Sequence, residues 1–161
     1  MMAPGESTGY ELTLSRRVSA RREQVFRALT DRDVVARWLC HDGDRNKVRI
    51  IKFDLRVTGG FRLEMTRAPE VYLVFGTFAE LAPPDRLAFD WAWERVIPDM
   101  ATSQGPTRVT LQLVEKDGAT DLLLTQGAFP TEALRDGERD NWNASFAALE
   151  KVLASEPPAV R

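Results

Sequence analysis

Apolar and polar side chains alternate most strictly in the stretch from Leu87 to Glu94. Four large apolar side chains share one parity there: Leu87, Phe89, Trp91 and Trp93. The side chains between them are small or acidic. Because successive side chains of a strand point to opposite faces, the pattern predicts a strand with one aromatic face. Such a face either fills a core or lines an apolar pocket.

Before this strand the spacing changes from period two to helical and back. A first strand is predicted from the shared parity of Tyr10, Leu12, Leu14 and Val18. Two short helices follow, with apolar stripes at Val25, Phe26, Ala28 and Leu29 and then at Val34, Val35, Trp38 and Leu39. Ser19 is the predicted N-cap of the first helix, and Thr30 and Asp31 separate the two helices. This order narrows the choice of folds considerably.

Further strands are predicted on both sides of the aromatic strand. Their inward residues are Ile51, Phe53, Leu55 and Val57, then Phe61, Leu63 and Met65, and later Val109, Leu111, Leu113, Leu122, Leu124 and Gln126. Residues 71–81 are apolar on both parities, so their inward face stays open. Thr58, Gly59 and Gly60 are expected to form a hairpin turn in which glycine takes positive φ. Residues 96–106 are predicted to be the longest irregular segment.

A long amphipathic helix is predicted at the end of the chain. Its stripe has helical spacing and consists of Trp142, Phe146, Leu149 and Leu153. Thr131 or Asp136 starts it, and Pro157 ends it. The whole order predicts an α+β domain with six to seven antiparallel strands. The last helix is the only element long enough to cover the apolar face of that sheet.

Length and composition limit the remaining choices. The 161 residues and 43% hydrophobic content fit one globular domain over residues 10–154, with a disordered tail at 1–9 and another tail at 155–161. The net charge of −2 and the scattered basic residues argue against nucleic-acid binding. Signal-peptide and membrane-spanning segments are not expected, and the single cysteine fits a reducing compartment, so the expected location is cytoplasmic.

Candidate catalytic and metal-binding groups are sparse. Cys40 and His41 are the only cysteine and the only histidine, and neighbours in sequence do not converge as a nucleophile and its base must. A zinc site needs three or four ligands, and Asp42 with Asp44 lacks the remaining ligands of a calcium loop. The acids near predicted helix starts form no tuned pair. We therefore predict no catalytic residue, no metal and no cofactor.

The pieces of this pattern resemble a known family. Matching segments run from about Tyr10 to Leu153 and include residues 25–31, 36–38, 54–57, 59–62, 76–78, 84–87, 89–91, 124–125 and 141–142 with Phe146 and Leu149. The chain resembles a bacterial member of the activator-of-heat-shock-protein-90-ATPase homologue family, within the START-like superfamily. That resemblance implies a helix-grip fold, in which the sheet curls around the terminal helix and leaves an apolar cavity.

The chain departs from the family pattern at several positions. Arg21 stands where the family often has proline, and Asn141 where it often has glycine. Thr58 lengthens the glycine turn by one residue. Gln126 stands where the family often has histidine, which removes the one group on that strand that could titrate near neutral pH. This last departure weakens a reading as an acid–base enzyme.

Our leading functional hypothesis is a non-catalytic carrier or sensor that binds a small hydrophobic or amphipathic molecule. In the plainer alternative the aromatic set only fills the core. The candidate cavity residues are mostly large apolar side chains on the predicted strands and helices: Trp38, Phe53, Phe61, Leu63, Tyr72, Phe89, Trp91, Trp93, Leu111, Leu124, Gln126, Trp142 and Phe146. Gln126 and Tyr72 are the polar groups that would orient a ligand.

Two other functions compete with this hypothesis. The first is an enzyme of the cyclase, dehydratase or hydrolase type acting in the same cavity, which rests on analogy of fold. The second is a module that contacts a chaperone and stimulates its ATPase, which predicts an exposed apolar patch outside the cavity. An exposed edge strand would also permit a homodimer. The expected partner is the small ligand, with no nucleic acid and no membrane.

Overall fold

The computed structural model describes residues 9–43, 45–100 and 102–155. The predicted tails lie outside these residues except for Gly9 and Ser155. The elements, in chain order, are β1 Tyr10–Val18, α1 Arg22–Thr30, α2 Arg32–Trp38, β2 Lys47–Phe53, β3 Gly60–Arg67, β4 Glu70–Ala82, β5 Arg86–Ile97, β6 Ser103–Lys116, β7 Ala119–Phe129 and α3 Glu132–Ser155. The predicted order of elements is confirmed.

The strands form one curved, open antiparallel sheet with the order β1-β7-β6-β5-β4-β3-β2, so β1 and β2 are its edges. Helix α3 lies across the apolar face and buries the predicted stripe of Trp142, Phe146, Leu149 and Leu153. Helices α1 and α2 cover the rest of that face and contact α3. The α+β helix-grip prediction is therefore confirmed. No helix among the described residues is long and apolar enough to cross a membrane.

The aromatic face of β5 lies at the centre of this core. Leu87, Phe89 and Trp91 are buried, while Trp93 is half-buried at the far end of the strand. The rings continue as a connected series from the sheet to the helix, and Trp91 lies 5.1 Å from Trp142 between ring centroids. Aromatic contacts at this distance stabilise a core beyond the area that they bury.

The starts of the first two helices differ from the prediction. Ser19 is exposed and is not a cap; the N-cap of α1 is Arg21, whose side chain makes no capping hydrogen bond. Instead, the carboxylate of Glu115 on β6 accepts a hydrogen bond from the backbone N–H of Arg22 at 2.8 Å. A distant strand thus supplies the acceptor that sequence reasoning sought next to the helix. Asp31 caps α2 and accepts from two backbone N–H groups.

We expect Asp31→Ala to lower the free energy of unfolding by about 1 kcal/mol, because the backbone N–H groups of Asp33 and Val34 lose their acceptor. The matched control is Ser19→Ala, which should change stability by less than about 0.5 kcal/mol. Urea unfolding of both variants measures the difference. Equal effects of the two substitutions would contradict the assigned cap.

Strand β2 and its turn also differ from the prediction. A bulge between Ile50 and Lys52 reverses the parity, and β2 ends at Phe53. Leu55 and Val57 therefore lie outside the strand and are 43% and 51% exposed. The positive φ of the turn belongs to Thr58 (φ 70) rather than to glycine.

Gly59 is needed in this turn for a different reason from the predicted one. A Cβ at this position would overlap the backbone carbonyl oxygen of Asp54. Its backbone N–H meanwhile donates to the Arg56 carbonyl at 2.8 Å. The glycine thus permits a close approach of two backbone segments.

The predicted irregular segment at residues 96–106 is wrong in extent. Strand β5 continues to Ile97 and β6 begins at Ser103, so only residues 98–102 connect them. A register shift after Trp91 accommodates Gly105, whose φ is +98, and Pro106 within β6. The proline and glycine mark a bulge in a long strand pair rather than a loop.

Candidate ligand-binding cavity

A cavity of about 160 Å³ lies between α3, the centre of the sheet and the connection that follows α2. Its walls are largely apolar and aromatic, with a few polar groups: Leu39, Cys40, His41, Asp42, Asn46, Met65, Tyr72, Val74, Trp91, Trp93, Glu138, Asn141, Trp142 and Ser145. Tyr72, Trp93, His41 and Asp42 are only half-buried, and Asn141 is exposed. We refer to these five solvent-accessible lining residues as the mouth of the cavity.

The structure divides the predicted cavity residues into three groups. Four of them line the larger cavity: Tyr72, Trp91, Trp93 and Trp142. A second space of about 30 Å³, too small for an organic ligand, is lined by Trp91 and Trp142 together with Trp38, Phe53, Phe61, Phe89 and Leu111. The remaining residues are buried without lining either space: Leu63, Leu124, Gln126 and Phe146.

Glu138, which the sequence analysis did not single out, is the central polar group of the larger cavity. It lies on α3 and is only 5% exposed. Its Oε1 accepts hydrogen bonds from Trp91 Nε1 at 2.9 Å and from Gln126 Nε2 at 3.2 Å. Asn141 Nδ2 lies 3.5 Å from Oε2. All three donors are neutral groups.

Gln126 is the residue that connects this network. Its Oε1 accepts from Trp142 Nε1 at 2.8 Å, while its Nε2 donates both to Glu138 and to Thr107 Oγ1. Thr107 Oγ1 in turn lies 3.3 Å from the carbonyl oxygen of Trp91, to which it donates. Because both ends of the amide are used, Gln126 fixes the positions of the lining residues and does not itself face a ligand.

Burial has a direct consequence for the protonation of Glu138. Removal from water raises the pKa of its carboxyl, and the hydrogen bonds from Gln126, Asn141 and Trp91 oppose that rise only in part. The group therefore keeps a proton to higher pH than an exposed glutamate does. The cavity holds a carboxyl group that can act as a hydrogen-bond donor or, once ionised, as a buried anion.

Cys40 and His41 both line the cavity, but they are held apart by their own bonds. Cys40 has a left-handed backbone (φ 63), and its N–H donates to Ser145 Oγ at 3.0 Å. His41 Nε2 donates to the Ala36 carbonyl at 2.8 Å, so its ring is turned toward α2. Burial, with the charge of Glu138 adding to it, raises the pKa of the Cys40 thiol. The thiolate needed for nucleophilic attack is therefore disfavoured.

We expect iodoacetamide to label Cys40 in the folded protein at least about a hundredfold more slowly than free cysteine near pH 8, because only the thiolate reacts. Glu138→Gln should speed the reaction modestly, since it removes one of the two causes of the raised pKa. Intact-mass spectrometry over time measures the labelling. The unfolded chain in guanidinium serves as the control, and equal rates for folded and unfolded protein would contradict the expectation.

The connection between α2 and β2 is tied down where it borders the cavity. Asn46 donates to the Cys40 carbonyl at 2.7 Å and accepts from Arg67 Nε at 2.8 Å. Arg67 also lies 3.5 Å from Asp42. Among the residues the structure describes, no group of three or more histidine, cysteine or acidic side chains could hold a metal ion. Asp44, considered above for a calcium loop, lies outside them.

The position of Glu138 in the sequence indicates that its side chain points toward the core. It stands four residues before Trp142, so the inward stripe of α3 extends one turn back to a carboxylate. An acidic residue on an apolar stripe is rarely buried without a partner, which makes it a candidate functional group. Its donors come from β5 and β7, and their convergence on α3 follows only from the folded structure.

A curved antiparallel sheet that grips a terminal helix, with two short helices after the first strand, defines a START-like domain. Residues 19–154 match the family described as Activator of Hsp90 ATPase homolog 1-like protein. The chain belongs to that family, and the resemblance drawn from the sequence is confirmed.

Solved structures share the fold at low sequence identity. A crystal structure of a protein from Chromobacterium violaceum is 22% identical and covers 91% of this chain and 99% of its own, with a TM-score of 0.76. A solution structure of a protein from Arthrobacter aurescens is 16% identical, with coverage of 95% and 91% and a TM-score of 0.77. At this identity the likeness shows the fold alone. Among curated proteins, none matches this chain significantly.

Proposed function

We propose that this protein binds a small amphipathic molecule in the larger cavity and acts as a carrier or sensor without catalysing a reaction. The observation that carries the proposal is a single buried carboxyl, Glu138, within an otherwise largely apolar and aromatic wall. Sites for small ligands combine such walls with a few placed polar groups. The fold, in which sheet and helix leave space between them, supports the same function.

The volume of the cavity limits the size of the ligand that it can hold. A volume of about 160 Å³ is close to the roughly 150 Å³ that holds a benzene ring in an engineered cavity. Drug-sized ligands occupy pockets of about 300 Å³ or more. The expected ligand therefore has a body of about one ring or a short branched chain, with any larger part extending through the mouth.

Native mass spectrometry of the purified protein, followed by denaturation, tests this function directly. We expect an adduct that is released on unfolding, or a rise in melting temperature when single-ring probes are added. Met65→Trp places a larger side chain in the cavity and should abolish both the adduct and the rise in melting temperature. Val114→Trp, on an exposed position of β6, is the matched control and should leave them unchanged. A signal that survives Met65→Trp would place binding elsewhere, and no response to any probe would refute binding.

A second candidate function is proton transfer by Glu138 to a substrate in the same cavity. It is favoured by the raised pKa of this carboxyl, because a general acid must hold its proton near neutral pH. Proton NMR of small-molecule extract incubated with wild type and with Glu138→Gln distinguishes it from simple binding. Consumption of a compound by wild type alone would establish an enzyme. Identical spectra would leave binding as the function.

A third candidate is the chaperone contact that the family description names. It would need an apolar surface outside the cavity, and three apolar side chains are exposed on edge strand β2 and in the turn after it: Ile51, Leu55 and Val57. Pull-down of the bacterial chaperone with wild type and with Leu55→Lys tests this surface. Retention by wild type and loss in the variant would support the contact, and an unchanged chaperone ATPase rate would remove it.

A further inference from the structure

We propose that the ligand is a small organic cation, a protonated amine or a quaternary ammonium on an apolar body, bound with its positive charge between Glu138 and the surrounding aromatic side chains. This inference rests on the proposed binding function and names the ligand class. It follows from three features of the cavity: a buried carboxyl group without a cationic partner, a free acceptor atom, and aromatic walls.

The first feature is the charge balance around Glu138. Its donors Trp91, Gln126 and Asn141 are neutral, and no ion pair among the described residues includes it. The cavity wall contains no lysine and no arginine. A buried carboxylate is costly unless it is paired, and these neighbours supply no positive charge. A cationic ligand would supply it.

Three arginines that contact a lining residue or lie close to Glu138 in the sequence bind other groups. Arg67 lies 3.5 Å from Asp42, and Arg135 lies 3.1 Å from Asp136. Arg139, the residue after Glu138, donates to the carbonyl oxygen of Thr13 on β1. None of the three lines the cavity. The wall therefore offers no arginine as a partner for Glu138 once this carboxyl ionises.

The second feature is the acceptor capacity of the carboxyl. Oε1 accepts two hydrogen bonds at 2.9 and 3.2 Å, whereas Oε2 has only the contact of 3.5 Å with Asn141. A contact of that length is at the limit of a hydrogen bond, so Oε2 keeps free lone pairs. An ammonium N–H would bond this oxygen as a charge-assisted donor.

The third feature is the composition of the wall. Trp91, Trp93, Trp142 and Tyr72 line the same space as Glu138. Aromatic faces carry negative potential and attract cations, and they pack equally well against the apolar body of a ligand. An anionic ligand would be repelled by the ionised carboxylate. The wall therefore selects for positive charge, and it can do so for quaternary ammonium groups that donate no hydrogen bond.

Three probes of one shape and different charge test the proposal: benzylamine, benzyl alcohol and benzoate, titrated into the wild-type protein while tryptophan fluorescence is followed. We expect benzylamine to bind at least about tenfold more tightly than benzyl alcohol, and benzoate not to bind. Equal affinity for amine and alcohol would overturn the cation proposal while leaving the binding function intact. If none of the three binds, both fail for ligands of this size.

Glu138→Gln should remove the preference for the amine and leave the affinity for the alcohol within about threefold. Glu150→Gln, on the same helix but paired with Arg16 outside the cavity, is the matched control and should change neither affinity. Trp93→Leu provides a variant of an aromatic lining residue at a half-buried position. It should weaken amine binding several-fold with a smaller effect on the alcohol. An unchanged amine preference in Glu138→Gln would overturn the proposal.

The pH dependence gives an independent readout with benzyltrimethylammonium, whose charge is permanent. Its affinity should rise with pH as Glu138 ionises, and Glu138→Gln should flatten the curve. The other titratable groups that line the cavity are Cys40, His41 and Asp42 from the connection and Tyr72 from β4, and Arg67 of β3 contacts Asp42 without lining the cavity. The β5, β6 and β7 partners Trp91, Thr107 and Gln126 do not titrate. The same slope in both proteins would assign the effect to those groups and overturn the role of Glu138.

Discussion

Gly76→Ala is expected to lower the free energy of unfolding by about 3 kcal/mol, because the added methyl group has no room. Gly76 lies in β4 opposite Phe61, and a Cβ there would overlap the backbone carbonyl oxygen of Asp90 on β5. A backbone atom cannot turn aside as a flexible side chain can, so the two strands must separate at this point. Urea unfolding followed by tryptophan fluorescence measures the loss.

Gly137→Ala makes the same chemical change with the opposite expected sign. Gly137 lies on the exposed side of α3, and nothing lies within 4 Å of a Cβ built there. Alanine restricts the unfolded chain and has a higher helix propensity, so stability should increase by about 0.5–1 kcal/mol. A stable Gly76→Ala protein with unchanged melting temperature would show that β4 and β5 can move apart without cost.

Gln126→Leu is expected to cost about 3 kcal/mol although leucine has a similar volume. Gln126 is 2% exposed and makes hydrogen bonds with Trp142, Thr107 and Glu138. Leucine leaves the indole N–H of Trp142 and the carboxyl of Glu138 without this partner, and each buried unsatisfied group costs about 1–3 kcal/mol. The exposed Gln112→Leu on β6 is the matched control and should stay within about 0.5 kcal/mol.

The cost of Gln126→Leu should also depend on pH. Burial raises the pKa of Glu138 above that of the unfolded chain, so the folded state holds the proton more tightly and stability falls as pH rises through the folded pKa. Loss of the Gln126 donor raises the pKa further. The destabilisation should therefore be greater at about pH 8 than at about pH 5. An equal loss at both values would indicate that Glu138 does not change its protonation state over this range.

The sequence predicted the parts of the fold that depend on local periodicity. Strand β5 and helix α3 were assigned to the correct faces because Trp91 and Phe146 belong to long, regular patterns. The prediction was wrong where one residue interrupts the alternating pattern of a strand. The bulge after Ile50 moved Leu55 and Val57 to the surface, and the shift after Trp91 placed Gly105 within a strand. Such shifts depend on the partner strand, which local spacing does not identify.

Less of the candidate site than of the fold could be predicted from the sequence. Trp93 lies on the predicted aromatic face of β5 and Trp142 on the predicted stripe of α3, whereas the inward face of residues 71–81, which include Tyr72, could not be predicted. Glu138 was passed over because its acceptor role depends on Trp91 and Gln126, which are distant in sequence. Gln126 was expected to face a ligand, whereas its amide is used within the protein. Long-range convergence, rather than residue type, decides which polar group remains free.

The cavity wall is formed partly by the buried core and partly by the connection after α2. This division determines which lining residues can be substituted without loss of stability. Trp91 and Trp142 belong to the buried ring series, so changing them to alter specificity would also weaken the fold. His41 and Asp42 border the same space but add little to the core. Mutations there can accumulate at small thermodynamic cost. Substitutions at this rim can therefore change the shape of the cavity while Glu138 and the aromatic side chains around it stay in place.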